Sequence, residues 1–387
     1  MVLSNFLAGG FMIKKVLIWL LQVSVVLTVV LFAVCPVSCK ITDEGVQLLH
    51  GDYVPPMLEA YASNTEQSLL LSFTKSVKIV GAIVTPFTEA STAGDNDSAK
   101  KGVIAPALAA ASGQEQGIAV TISYEDDGRT VIATAAEAFE VGKQYELYGE
   151  AEDKNGNTLT FCIPFVGFNA RVPRMIISGI HPMYASDKFK CEFVELYALT
   201  AGNIAGIVVS SAVDGNSKSF TLPAAEVNAG DVVIVHVRAK GDGCINELSD
   251  DLSLSSGWYT SDTVRDIWAS NESARLADKE DIVLLTNSFT NEILDAVMYA
   301  PSASESWSKE NIASVAQEIA HAGFWESEHP SAAVLSDGLS AAKMLKRKGC
   351  NALLTAAQNG TLKTVIAQNS ENWYVASIKN GAFLPVE

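Results

Sequence analysis

The chain has 387 residues and a formal net charge of −17, with 48% hydrophobic and only 18% charged side chains. So acidic a balance argues against nucleic acid or an anionic lipid surface as a general partner, because both need a positive field. At this length two domains are expected, each with its own core. The wealth of Ala, Val, Ser, Thr and Gly, with Pro and Asn at turns, points to an all-β fold.

Lys14 and Lys15 lead into an apolar run from Val16 to Val34 that ends in CPVSCK. A charged start, an apolar middle and an exit of small residues read as an export signal over residues 1–38. The exit resembles a bacterial lipobox. Cys39 follows the small Ser38, whereas Cys35 follows the bulky Val34. Pro36 makes the match a relaxed one, of the kind seen in spirochaetes. The resemblance implies cleavage before Cys39 and a palmitate-type acyl anchor on it, and a start at Met12 would give an ordinary signal length. An uncleaved anchor is the alternative, since 19 residues can span a bilayer. Either way the remainder sits outside the cytoplasm, tethered to a membrane. Cleavage removes two lysines and no acid, leaving 349 residues with a charge of −19. By resemblance to enteric lipoproteins, Lys40 after the acylated Cys39, in place of Asp, favours the outer membrane. Residues 39–65 are polar and proline-broken, a tether with a short helical piece.

Residues 66–170 are expected to form the first β-sandwich. SLLLSFTKSVKIVGAIV, IAVTISYEDDGRTVIATAA and QYELYGEAEDKNGNTLTFCIPFVGF alternate apolar and polar side chains with the period of half-buried strands. Asp-Gly in Glu125–Arg129 and Asn-Gly in Asp153–Asn157 supply the positive φ of tight hairpins. The stretch 91–116 reads as an inserted loop. Gly142, Tyr145, Asp153, Gly156 and Asn157 fall where the closing half of a bacterial Ig-like domain has its Gly, Tyr-bearing strand and D-x-x-G-N turn. This segment resembles that family, whose domains are spacers or interaction modules.

Pro173 in ARVPRM fits a linker between domains. Seven candidate strands follow within residues 171–302: RMIISGIH, CEFVELYAL, IAGIVVSSA, SFTLPAAEV, DVVIVHVRA, DIVLLTNS and EILDAVMYA. Glu192 to Tyr197, Leu222-Pro223, Gly230, Asp281 with Val283 and Leu284, and Leu294, Asp295, Val297 and Tyr299 occur in the order of a lamin-tail domain, which this region resembles. The resemblance implies a second Ig-like sandwich that binds proteins. Ser178-Gly179 replaces the family's opening Asn-Glu, Ala198 replaces an Asn, and the loop 240–268 is long.

Residues 303–387 are expected to be a helical and extended region packing on the second sandwich. Ile312, Val315, Ile319 and Ala322 make one stripe of a helix over 309–322, with Ser308 as its cap. LSAAKMLKRKGC, 339–350, reads as a second helix stopped by Gly349. WYVAS resembles the tryptophan-bearing end of bacterial lamin-tail proteins.

Four cysteines remain beyond the signal. Cys244 and Cys350 each follow a Gly in polar surroundings and are the expected disulfide, while Cys162 and Cys191 sit in strand patterns. Glu318, His321 and His329 carry the one cluster with metal-ligand chemistry, but without H-E-x-x-H or an Asp-rich loop a solvated helix end is the simpler reading. Glu192 and Glu195, three apart on a strand, face opposite ways and do not make an acid/base pair. AGDND, 93–97, lacks the order of a calcium loop. Trp258, Trp268, Trp307, Trp325 and Trp373 fit a core role and a binding role about equally well. The expected function is a non-catalytic, lipid-anchored envelope module with no cofactor and no catalytic residues. Its partners are the membrane and a protein or glycan, with no nucleic acid. The alternative is a secreted metal-assisted hydrolase built on His321 and His329.

Overall fold

The computed structural model describes residues 53–87, 117–184, 191–213, 219–238, 241–269, 276–378 and 386–387, with the backbone of 41–42 and 45–46. The export signal, Cys39, the 91–116 loop and AGDND lie outside the described residues. No helix among the described residues is long and apolar enough to cross a membrane. Residues up to Val54 form one unit, in which the small paired strands β1 (Ile41–Thr42) and β2 (Gly45–Val46) are described together with Tyr53 and Val54. Pro55–Glu387 form the other.

The larger unit opens with β3 (Leu58–Thr65), β4 (Ser68–Phe73), β5 (Val77–Pro86), β6 (Ile118–Glu125), β7 (Thr130–Ala135), β8 (Gln144–Asp153) and β9 (Thr158–Val166). They pair in the order β3-β4-β7-β6-β5-β8-β9. The alternation read from the sequence is realised: Leu69, Leu71, Phe73, Val131, Ala133, Leu147, Phe161, Ile163 and Phe165 close one core. The hairpin turns form as expected, with Asp127, Gly128 and Gly156 at positive φ. Asp153 Oδ1 accepts the Asn155 and Asn157 amides, and the Asn157 side chain holds its carboxyl below the usual carboxylate range. β3 corrects the tether: LEAYASNT is a strand, not a spacer. It pairs only with β4 and exposes most of its side chains, so it needs no apolar alternation to be held.

A second core begins with β10 (Met175–His181), β11 (Phe193–Ala198), β12 (Gly202–Asn203), β13 (Ile207–Ser211), β14 (Phe220–Thr221), β15 (Glu226–Val227), β16 (Val232–His236), β17 (Arg265–Trp268), β18 (Asp281–Asn287) and β19 (Ile293–Ala300). Helix α1 (Glu310–His321), β20 (Val334–Leu335), β21 (Lys343–Arg347), helix α2 (Cys350–Gln358) and β22 (Trp373–Ser377) complete it. One sheet runs β17-β16-β11-β10-β21-β22 and the other β14-β13-β18-β19-β20. Met175, Ile177, Val194, Leu196, Val233 and Val235 of the first meet Val209, Val283, Leu285, Ala296 and Val297 of the second. The class is all-β, as the composition indicated.

The expected helix forms as α1, burying Ile312, Ala316 and Ile319, while Val315 is half-buried and Ala322, beyond its last turn, is exposed. Its cap is Lys309 rather than Ser308, whose amide instead donates to Glu280 Oε1 at 2.7 Å. Gly323, at φ 81°, ends it, and the Phe324 amide returns to Ile319 O.

The second helix read over 339–350 is overturned. Met344 to Arg347 lie in β21, which pairs with β10 and β22, and Gly349 precedes α2 instead of ending a helix. The local composition favours helix, but the open edge of β10 offers ladder bonds and two faces on which to bury side chains, and that wins. Met344 packs with Phe193 and Tyr259 on one face, Leu345 with the inter-sheet core on the other. Two consecutive cations follow the same alternation. Lys346 Nζ lies 2.5 Å from Glu195 Oε1, which also takes the Ser178 hydroxyl at 2.6 Å. Arg347 Nη1 lies 2.8 Å from Asp295 Oδ2, and Gln368 Nε2 reaches Asp295 Oδ1 at 2.6 Å. All four charged side chains are buried.

The passage between the two cores is tied down. Phe168 and Phe289 meet edge-on at 5.1 Å. Buried Asn169 donates to Asn203 O at 2.6 Å and Ala205 O at 2.9 Å, and accepts the Arg171 amide. Arg171 pairs with Glu226 at 2.7 Å.

Lys346→Ala leaves Glu195 buried without its cation and should cost about 3–5 kcal/mol, whereas the double change Glu195→Leu with Lys346→Met should cost far less. Urea midpoints of the two variants check this. Asn169→Ala should cost roughly 1–3 kcal/mol by stranding two carbonyls, read as a lower thermal midpoint of the full chain.

Candidate functional site

The long 240–268 loop between β16 and β17 is the candidate. Its last residues, 265–268, form β17, and the stretch 241–264 before that strand contains no lysine or arginine. Loops of this length are ordinarily disordered or functional, and this one is pinned from within. Glu247, fully buried, accepts the Ser255 amide on Oε1 at 3.1 Å and the Asp266 amide on Oε2 at 2.8 Å. Burial pushes its carboxyl up, and those two amides pull it back. Arg265 Nη1 donates to Glu247 O and Ser249 O, and Nη2 to Glu226 O. The Asn246 side chain takes the Trp268 amide at 2.6 Å.

Beneath the loop, His236 Nε2 lies 2.7 Å from Asp266 Oδ1, and the imidazole stacks on Trp268 with centroids 3.7 Å apart. Burial lowers the His236 pKa although Asp266 pulls the other way. Trp268 Nε1 donates to Ser255 Oγ at 2.9 Å, and Ser256 N donates to Gly243 O, joining the two legs of the loop. A side chain at Gly257 would come within 2.6 Å of the Trp268 ring, so only glycine fits. Tyr259 holds φ 62°, a conformation that costs a tyrosine about 1–3 kcal/mol. Its ring, buried against Phe193 and His181, offsets that cost.

The outside of the same loop is apolar. Ile245, Leu248, Leu254 and Trp258 are among the large hydrophobic side chains that stay exposed, with Trp258 at 50%. Asp242, Asp250, Asp251 and Asp262 of the same loop are exposed as well. A cavity of about 150 Å³ opens beside Leu252, lined also by Asp231, Val232, Thr263, Val264 and Arg265. Between 241 and 264 the loop thus exposes large apolar and acidic side chains and no cation.

The residues singled out from the sequence lie elsewhere. Glu318, His321 and His329 are exposed, and among the described residues no three His, Cys, Asp or Glu side chains gather to hold a metal ion. The thiols of Cys244 and Cys350 are not joined. Cys350 is buried with Ile176, Tyr197 and Leu199, its Sγ 3.7 Å from Arg347 O, while Cys244 lies in the loop near Gly257. Cys350 opens α2 and is drawn into that apolar cluster instead of a loop surface. Glu192 and Glu195 serve separate ion pairs, Glu192 with Arg238 at 2.9 Å. Trp268, Trp325 and Trp373 are core and Trp307 is half-buried, leaving Trp258 as the tryptophan of the surface. Sequence reasoning missed Glu247 and Asp266. Their one signal was the length of a loop that keeps apolar residues at 245, 248, 252, 254 and 258.

Residues 173–375 match a family model described as TP_1001_2nd, protein second domain. The chain belongs to this family. The TP_1001 second-domain match spans the loop, its supporting strands, and both cations of β21. An uncharacterized protein of Treponema pallidum (strain Nichols) is 29% identical over 197 residues, 49% of each chain. The chain thus spans about half the length of that curated relative. Among solved structures, a DUF4876 family protein from Bacteroides thetaiotaomicron VPI-5482 aligns over 58% of this chain and 78% of its own, at 12% identity and TM-score 0.25. The N-terminal part of the bacterial S-layer protein SbsC aligns over 64% of this chain and 44% of its own, at 15% identity and TM-score 0.23. Superpositions at those scores carry no argument.

Glu247→Ala should cost roughly 2–4 kcal/mol by stranding the Ser255 and Asp266 amides. Limited proteolysis should then cut between Leu248 and Trp258 faster than in the parent protein.

Proposed function

We propose that this protein is a non-catalytic envelope lipoprotein, anchored through Cys39, whose second, lamin-tail-like sandwich is a protein-interaction module. The observation that carries the reading is the loop. Buried charge fixes it from within while four large apolar side chains face outward on it. A preorganised apolar surface binds without first losing loop entropy, which is how binding sites are commonly built. The other buried acids have structural employment: Glu192 with Arg238, Glu195 with Lys346, Asp295 with Arg347, and Asp281 with Ser211 and three backbone amides. None of these is left over for acid/base chemistry.

The anchor rests on the sequence: Lys14 and Lys15, the apolar run to Val34, and Cys39 after Ser38. Acylation at Cys39 would hold the module at a membrane surface outside the cytoplasm, with the outer membrane favoured, because stable anchoring takes more than one acyl chain.

Cys39→Ala should abolish detergent-phase partitioning or leave an uncut precursor. Mass spectrometry of the mature amino terminus reads the same point directly. Unchanged processing and unchanged partitioning would sink the anchor.

A further inference from the structure

Resting on the interaction-module reading, we infer that the 241–264 loop receives a cationic amphipathic segment of another protein. Three features of the surface select that occupant. Its centre is apolar: Ile245, Leu248, Leu254 and Trp258 are each exposed by at least two-fifths. The exposed charged side chains of 241–264 are all acidic, Asp242, Asp250, Asp251 and Asp262, and Arg265 at the cavity is buried with its guanidinium spent on loop carbonyls. The cavity beside Leu252 is about 150 Å³, room for a single apolar side chain, and its lining holds Asp231 together with the buried Arg265.

The same features weigh against the other occupants. An anionic membrane would meet the exposed aspartates with like charge, and loop insertion would bring all four toward the headgroups. A second copy of this chain brings another −17 to the contact. A segment with lysines or arginines beside leucine-like side chains satisfies both parts of the surface. Its apolar side chains cover the tryptophan and leucines, and its cations meet the aspartates. The aspartates steer the encounter and set its salt dependence, while the desolvated apolar centre supplies most of the affinity.

The test uses the full chain reconstituted into zwitterionic phosphatidylcholine nanodiscs, with empty nanodiscs as baseline. Calorimetric titration with a synthetic peptide of alternating Lys and Leu should give saturable binding. Raising salt from about 50 to about 500 mM should weaken it. Trp258→Ser with Leu254→Ser, and separately Asp250→Asn with Asp251→Asn, should each weaken it about ten-fold or more. Val375→Ser, at an exposed apolar position on β22 outside the loop, should leave it unchanged. Circular dichroism confirms that each variant is folded, as exposed substitutions should allow. Equal binding of an alternating Glu-Leu peptide would overturn the assignment. So would loop variants that bind like the parent, or phosphatidylglycerol vesicles captured through the loop, or loop-dependent dimerisation. Each of these outcomes leaves the Cys39 processing result standing, so failure of the partner assignment is distinguishable from failure of the anchor.

Discussion

The second sandwich depends on a pair of adjacent cations, Lys346 and Arg347, buried on opposite faces of one short strand. Successive side chains in a strand alternate faces, so β21 can satisfy Glu195 outside and Asp295 inside in one register alone. A slip of a single residue would exchange the two cations and set Leu345 and Met344 on the wrong sides. Burying four charges is expensive, and the return is specificity of register more than stability. Asp295 extends the constraint. It binds the Ile177 amide, Arg347 and Gln368, and Gln368 in turn accepts Trp373 Nε1 at 3.0 Å. Strands far apart in the chain are thereby joined around one carboxylate.

A related device holds the outward-facing loop. His236 and Asp266 lie on neighbouring parallel strands, β16 and β17, which the loop itself connects. Glu247 reaches back from the loop to Asp266, so the support of the surface is continuous with the sheet. Polar groups inside and apolar groups outside is the reverse of the usual order. The hydrogen bonds of Glu247, Asp266 and Arg265 offset the cost of that burial, while the apolar side chains of the loop stay exposed.

Legibility differed by element. The strands of the first core were plain in the sequence because one face of each is wet, and a wet face leaves a period-2 trace. The turns at Gly128 and Gly156 were plain because positive φ restricts the residue choice. β3 was not, since an edge strand exposed on most of its length carries no such trace. β21 was misread because Lys, Leu, Met and Arg are good helix formers, and nothing local announces that a β10 edge stands ready to pair. The loop's supporting acids were invisible for a similar reason: Glu247 and Asp266 look like surface residues until their partners are known.

By itself, then, the sequence determined the all-β class, the hairpins of the first core, the presence of α1 and the acidic character of the whole. Those follow from rules that act within a few residues, namely side-chain period, turn conformation and charge. Tertiary structure alone decided that the C-terminal stretch supplies strands to the sheet, that Glu195 and Asp295 are buried beside cations some fifty to one hundred and fifty residues away, and that Trp258 faces outward while Trp268 does not. Each of those outcomes turns on which groups meet after long-range pairing. A buried charge is tolerated only where its partner arrives, and no local pattern records the arrival.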